Sequence, residues 1–382
     1  MFHAKGGIGV FSSFFLRALR EWNESANCRV IIKHDRNKNG YHANGGAQTN
    51  FNFAGRWPTA VRTPAYAAKL LGWAIRERPA LIIVGHLHFA PAANFIQKVM
   101  GIPYWILAYG IEAWEVKEPR LKQALQEASK ILAISEYTRS RLLREQSLCS
   151  SSVSLLPCAV EKAQFVMTPK PRELLSRYGL LPDQPVILTV SRLVRSDSYK
   201  GYASVLRAMP AIRKAIPNVH YVLVGTGDDR PRVERLVENL GLKDCVTLAG
   251  YVSDVELSAH YNLCDVFAMP SKGEGFGIVY LEAMACGKPT LGGNKDGAVD
   301  ALMNGELGAL IDPDDPVEMA TTLTAILKKE YPLPLMYEPT SLRARVLEEY
   351  GYERFRENVA TYLDEFFAVK NSAAEIDSAL IS

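Results

Sequence analysis

EGFGIVYLEAMACGKPT, residues 274–290, sets two carboxylates, Glu274 and Glu282, on either side of a helix start. The run GIVYLEAMACG is helix-compatible, with Gly287 placed to stop it and Pro289 just beyond. Gly275, Phe276, Gly277 and Ile278 then fall at the helix N-terminus, where free backbone N–H groups and the positive end of the dipole favour an anion. A phosphate is the natural guest. Glu282 lies about one turn inside, too far along to be a simple cap, while Glu274 precedes the helix in the loop. Acids beside a phosphate site make sense as acceptors for sugar hydroxyls; by spacing alone they are equally two surface glutamates.

Working outward, VFAMPS before this stretch and KPTLGG at its end read as strands, which makes it the middle of a strand–helix–strand unit. The grammar repeats through the second half. PVILTVSRL, VHYVLVGTG, CVTLAGYV and LGALIDP are further strands, and YASVLRAMPAIRKAI and PRVERLVENLG are helices between them. Such alternation predicts crossover connections and a parallel, doubly wound sheet. The first half is less regular. GIGVFSSFFLRALREW reads as a helix after a glycine loop, CRVIIKHD, ALIIVGHLH and PYWILAYG as strands, and KILAISEYTRSRLL as a strand entering a helix. No strand precedes the glycine loop, so either the domain lacks its first strand or residues belong before Met1. PCAVEKAQF is a hinge candidate, and YERFRENVATYLDEFF (352–367) a detached helix that could cross back.

A chain of 382 residues exceeds what one core usually supports. The expected division is a first domain over 1–160, a second over 161–345, a returning helix over 346–368 and a frayed tail over 369–382. Residues 1–160 carry 20 Lys and Arg against 10 Asp and Glu, and residues 161–382 carry 24 against 31, so the halves stand at about +10 and −7. A basic half facing an acidic one predicts that the first meets something anionic, although solvated helix faces account for the charge equally well. The apolar runs are too short to span a bilayer and the N-terminus has no signal-peptide order, so a cytoplasmic protein is expected, possibly peripheral at the inner membrane. Six cysteines without a CxxC pair read as reduced and mostly buried.

The acidic stretch resembles that of the retaining glycosyltransferases of the GT-B fold, family 4, which includes sucrose-, glycogen- and mannosyl-lipid-synthesising enzymes. Their motif E-G-F-G-x-x-x-x-E-A-M-A-x-G-x-P is matched here at every fixed position. GGIGVF resembles the family's N-domain glycine loop, LPCAVE its hinge, TVSRLVRSDSYKGY its diphosphate-gripping segment, VLVGTG and VTLAGYVSDVEL the strands around the nucleobase, and YGYERFREN the returning helix. The resemblance implies an α/β protein of two doubly wound Rossmann-like domains facing a cleft. It makes Arg192, Lys200 and Glu274 catalytic. The donor would be bound by these three with Gly7, Tyr251, Val252, Phe276, Gly277, Ile278 and Glu282, with Glu282 on ribose and Glu274 on the transferred sugar.

In LAYGIEAWE the family usually has histidine where this chain has Tyr109, a departure that bears on which sugar or acceptor fits. His86, His88 and Glu112 join Tyr109 as acceptor or sugar candidates, with structural roles equally open to them. The glycine turns and two cations supply enough positive charge that no metal or cofactor is expected, and GDD at 227–229 lacks a metal-motif context. UDP-glucose is the expected donor, with GDP-mannose the alternative. A glycan or lipid-diphosphate-linked saccharide is the expected acceptor, and nucleic acid is not expected as a partner. Competing readings are a nucleotide-sugar epimerase or hydrolase on the same architecture, and a dinucleotide oxidoreductase suggested by VGTGDD, which lacks the third glycine of the fingerprint.

Overall fold

The computed structural model describes residues 6–33 and 49–380. It divides into two compact units: Met1–Ile134, Arg139–Cys158 and Tyr352–Ser382 in the first, and Ser135–Thr138 with Ala159–Gly351 in the second.

The strands of the first unit are β1 (Cys28–Ile32), β2 (Thr49–Phe53), β3 (Ile82–Val84), β4 (Tyr104–Ala108), β5 (Lys130–Ala133) and β6 (Val153–Leu155). β3 to β6 form a parallel sheet in sequential order, and β1 and β2 pair separately, also in parallel. β4 is buried along its whole length, as expected of a strand covered on both faces. The glycine-opened helix is Gly7–Trp22, the range read from the sequence. It packs against the C-terminal helix, with Phe11 edge-on to Phe355 at 5.2 Å and Trp22 Nε1 donating to Asp364 Oδ1 at 2.7 Å.

The second unit carries β7 (Val186–Val190), β8 (His220–Val224), β9 (Val246–Gly250), β10 (Val266–Met269), β11 (Thr290–Gly293) and β12 (Ala309–Ile311). Their parallel order is β12-β11-β10-β7-β8-β9. The strand order reverses between β7 and β10, and the place beyond the carboxyl ends of the strands at such a reversal is the usual ligand position in an open α/β sheet. β8 and β10 are apolar runs buried throughout.

Three boundaries differ from expectation. The return to the first unit begins at Tyr352 rather than 346, because Val346 and Tyr350 on the helix Pro339–Tyr350 are buried within the second unit, Tyr350 against Phe276. Residues 135–138 also group with the second unit, where Glu136 and Tyr137 N–H donate to Asp300. The last helix does not fray after 368 but runs Tyr352–Leu380, since nothing in NSAAEIDSAL breaks a helix. Residues 381–382 lie outside the described residues. Cys158, Cys245, Cys264 and Cys286 are buried thiols as expected, whereas Cys149 is exposed. No helix among the described residues is long and apolar enough to cross a membrane.

Candidate active site

The loops that leave β7 and β10 carry the charged residues singled out in the second unit. After β7, the chain runs through Arg192 to a distorted 3-10 segment, Arg195–Lys200. After β10 it forms the turn that holds Glu274. These two loops meet where the strand order reverses, and there Lys200 Nζ pairs with Glu274 Oε1. Both side chains are only 14% exposed, so each supplies the other's counter-charge in a setting with little water. Arg192 lies 2.7 Å from Asp197 Oδ2 and is 63% exposed, so it stands at the loop surface while Asp197 anchors it from below.

The Glu274 turn is held by an acid that the sequence reading passed over. Asp296 is fully buried and accepts from the N–H of Glu274 (2.7 Å), Ser271 Oγ (2.7 Å) and the N–H of Ala298 (2.9 Å). Burial pushes its carboxyl upward while these donors oppose the shift. Gly297 N–H donates to Glu274 O at 2.9 Å, so the two loops lie backbone to backbone. A Cβ on Gly297 would collide with the Gly275 carbonyl.

The helix that follows is Ile278–Ala285, capped by Gly277 at φ 90°. Only glycine takes this conformation readily, and an added Cβ would also strike the Tyr280 ring. The helix ends as expected at Gly287, in a Schellman motif: Gly287 N–H donates to Met284 O (2.8 Å) and Lys288 N–H to Ala283 O (3.1 Å). Phe276 is buried against Tyr350, which fixes the N-terminal turn from behind.

Glu282 is buried, and Tyr261 donates to its Oε2 at 2.6 Å. Burial raises its carboxyl to about 7, with the Tyr261 hydrogen bond opposing and Asp254 adding to the rise. Tyr261 was also missed, because HYNLCDVFAMP reads as an apolar approach to a strand. Tyr251 and Val252 follow β9, with Tyr251 59% exposed. The GDD acids are committed elsewhere: Asp228 accepts from Arg195 N–H, and buried Asp229 accepts from Tyr202 and Arg232, the latter holding its carboxyl below the usual range.

In the first unit, four of the five candidates come together and the fifth opens the helix they touch. Tyr109 is buried with its hydroxyl 3.4 Å from Ser12 Oγ and its ring edge-on to Phe11, both on the helix that begins at exposed Gly7. Burial drives its hydroxyl pKa well up, so it remains a neutral donor. Glu112 accepts from Tyr109 N–H at 2.6 Å and so ties down the turn before the helix Ile111–Trp114. Burial raises its carboxyl, and the neighbouring His88 pulls the other way. His86 and His88 lie beyond the end of β3 with their Nδ1 atoms 3.2 Å apart, and His86 Nδ1 accepts the His88 N–H.

Residues 172–351, nearly the whole second unit, match the family model of glycosyl transferases group 1. A GDP-mannose-dependent alpha-(1-6)-phosphatidylinositol monomannoside mannosyltransferase of Mycolicibacterium smegmatis is 33% identical over 220 residues, covering 56% of each chain. The chain thus spans about half the length of such curated relatives. Among solved structures, Anabaena HepE in complex with UDP and glucose superposes with a TM-score of 0.77 at 18% identity, covering 94% of this chain and 96% of that one. Sucrose-phosphate synthase from Thermosynechococcus elongatus does so at 0.76 and 21%, covering 95% and 94%. Likeness at this identity shows the fold: two Rossmann-like domains of the GT-B type.

Proposed function

We propose, for a chain whose residues 172–351 form a glycosyl transferases group 1 domain, that it moves a hexose from a nucleoside diphosphate sugar to a glycan or lipid-linked acceptor with retention at the anomeric carbon. The observation that carries the reading is the Lys200–Glu274 pair at the reversal point of the second sheet. As the sugar–phosphate bond breaks, negative charge grows on the leaving diphosphate and positive charge on the ring. Lys200 and Arg192 meet the first, with the N–H groups at the start of the helix Ile278–Ala285 beside them. Glu274 accepts from hydroxyls of the transferred sugar and Glu282 from the ribose. The acceptor oxygen bonds to the anomeric carbon as the phosphate departs, and the leaving phosphate oxygen takes the acceptor proton.

The hydroxyl acceptors and fixed cations make a metal ion unnecessary to the proposed chemistry. GDP-mannose is the first donor to test, since the mycobacterial relatives named for it are 33% identical over half the chain. UDP-glucose, the donor expected from the sequence, comes second. Calorimetric titration with both, alongside UDP-galactose and UDP-GlcNAc, and chromatography of donor consumption with and without lipid-linked acceptors, test the reading. Glu274→Ala and Lys200→Ala are expected to lose transfer by at least about a hundredfold, and chelation to leave wild-type transfer intact. Undiminished transfer in both variants overturns the reading. Donor turnover that does not need an acceptor would instead identify an epimerase or hydrolase.

A further inference from the structure

The pairing of Lys200 with Glu274 depends on how two loops of the second unit are held together, and Tyr199 lies where they meet. Lys200 sits between Tyr199 and Gly201, and both neighbours are fixed to the chain that leads from β10 to Glu274. The Tyr199 carbonyl accepts from Lys272 N–H at 3.0 Å. Gly201, at φ 81°, lies so close to the Pro270 carbonyl that a Cβ there would overlap it. The backbone that carries Lys200 is thus clamped on both sides. Its side chain is another matter, because a lysine ammonium on a long flexible stem swings freely unless something walls it in.

The Tyr199 ring supplies a wall. Lys200 Nζ stands 5.5 Å from the ring centroid, within reach of its π face. On the facing loop the same ring packs against Gly273, the residue immediately before Glu274. A Cβ on Gly273 would stand 2.9 Å from both Cγ and Cδ2 of the ring and 3.4 Å from the Tyr199 Cβ. Those atoms form the base of the side chain and cannot turn away as a tip can. Gly273 is not among the glycines with positive φ, so its position demands room for the ring rather than an unusual backbone. One ring therefore borders both the ammonium and the stretch of chain that carries its carboxylate partner. The tyrosine brings no charge of its own to the pair: burial, and after it the Glu274 carboxylate, push the hydroxyl pKa upward and keep it neutral.

We propose that Tyr199 is a positioning residue for sugar transfer, its ring wedged between Gly273 and Lys200 so as to set the geometry of the Lys200–Glu274 pair. The effect on rate rests on the transfer reading above; the effect on the pair does not, and two measurements separate them. The first is steady-state transfer from GDP-mannose or UDP-glucose, with thermal unfolding of each variant alongside. Tyr199→Ala is expected to lower kcat at least about thirtyfold while donor KM moves less than about threefold, the split that lost orientation produces and lost stability does not. Tyr199→Phe keeps the ring and should restore kcat to within about threefold of wild type. Gly273→Ala pushes the ring aside and should reproduce the loss, yet cost nothing further when added to Tyr199→Ala, where the space is open. Should Tyr199→Ala fail to fold, Gly273→Ala against Tyr199→Phe makes the same comparison. Wild-type kcat in Tyr199→Ala or Gly273→Ala overturns the proposal, as do a phenylalanine variant as impaired as the alanine one and losses that add in the double variant. The second measurement needs no turnover. The coupling between Lys200→Ala and Glu274→Ala in denaturant unfolding should fall to less than about half in the Tyr199→Ala background and hold in Tyr199→Phe. Equal coupling in all three backgrounds overturns the proposal. Were the wild type to turn over no nucleotide sugar, the transfer reading would fall, and the unfolding cycle would still decide on Tyr199.

Discussion

Gly297→Ala isolates the placement of Glu274 from its chemistry. Gly297 has φ −66°, so alanine suits the backbone and only space is at issue. The new Cβ would stand 2.9 Å from Glu274 O, and nearer still to the Gly275 carbonyl, well inside the 3.4 Å where ordinary contact begins. Backbone atoms cannot swing aside as a side-chain tip can. The turn must retreat, on the order of 1 Å, a misplacement that costs about a hundredfold in rate when a reacting sugar is being oriented. That corresponds to about 2.7 kcal/mol of transition-state stabilisation. Overpacking also costs about 1–3 kcal/mol of stability, so thermal unfolding accompanies the rate measurement and confirms that the assayed protein is folded. Gly72→Ala is the control: no atom lies within 4 Å of its Cβ position, and transfer should be unchanged. A folded Gly297→Ala protein that transfers sugar within about threefold of wild type would refute the claim that this turn positions Glu274.

Further expectations concern the buried acids. With Glu282 raised to about 7 from 4.5, the folded protein holds a proton that the unfolded chain has released, so its contribution to stability is full below 4.5 and is lost as pH rises towards 7. Denaturant titrations across that window should show this fall in wild type and not in Glu282→Gln. If ribose is held by the ionised form, nucleotide affinity climbs over the same window, and Tyr261→Phe moves the climb to higher pH by removing the donor at Oε2; an unmoved profile would leave Tyr261 a purely structural residue. Lys200→Ala strands Glu274 without its partner, and a double-mutant cycle of Lys200 and Glu274 on stability should return a coupling of about 1–3 kcal/mol, against none if the pair is incidental. Asp296→Ala removes the acceptor of three donors and is expected to cost about 3 kcal/mol in denaturant unfolding as well as donor affinity.

The second sheet was legible because most of its strands are apolar runs alternating with helix-sized segments, two of which end on glycine, and the loop with Glu274 and Glu282 carried a motif at fixed spacing. Lys200 meeting Glu274 could not be read from either residue, since 74 positions separate them and only the strand order brings them together. Asp296 and Tyr261 escaped for a different reason: buried polar groups are defined by the partners that satisfy them, and Ser271 and Glu274 for Asp296, like Glu282 for Tyr261, lie some twenty residues away in the sequence. Asp296 left one trace, an acid in the glycine-rich loop just after β11. The first unit was harder to read because β3 and β6 have three residues each, too few to show a period. The helix Thr59–Glu77 was missed because an apolar row with a basic flank, read without knowing which side faces water, has no clear inside.

The first unit joins segments far apart in the chain: Phe11 and Trp22 meet Phe355 and Asp364, more than three hundred residues later. During synthesis the amino-terminal segments must therefore wait, while the second unit, complete at Gly351, is free to close first. The waiting surface includes Phe11 and Phe15, which are buried in the finished unit. The chain is thus most open to aggregation and proteolysis in the interval before the helix Tyr352–Leu380 leaves the ribosome, and the arrival of that helix decides when the first unit becomes a folded body.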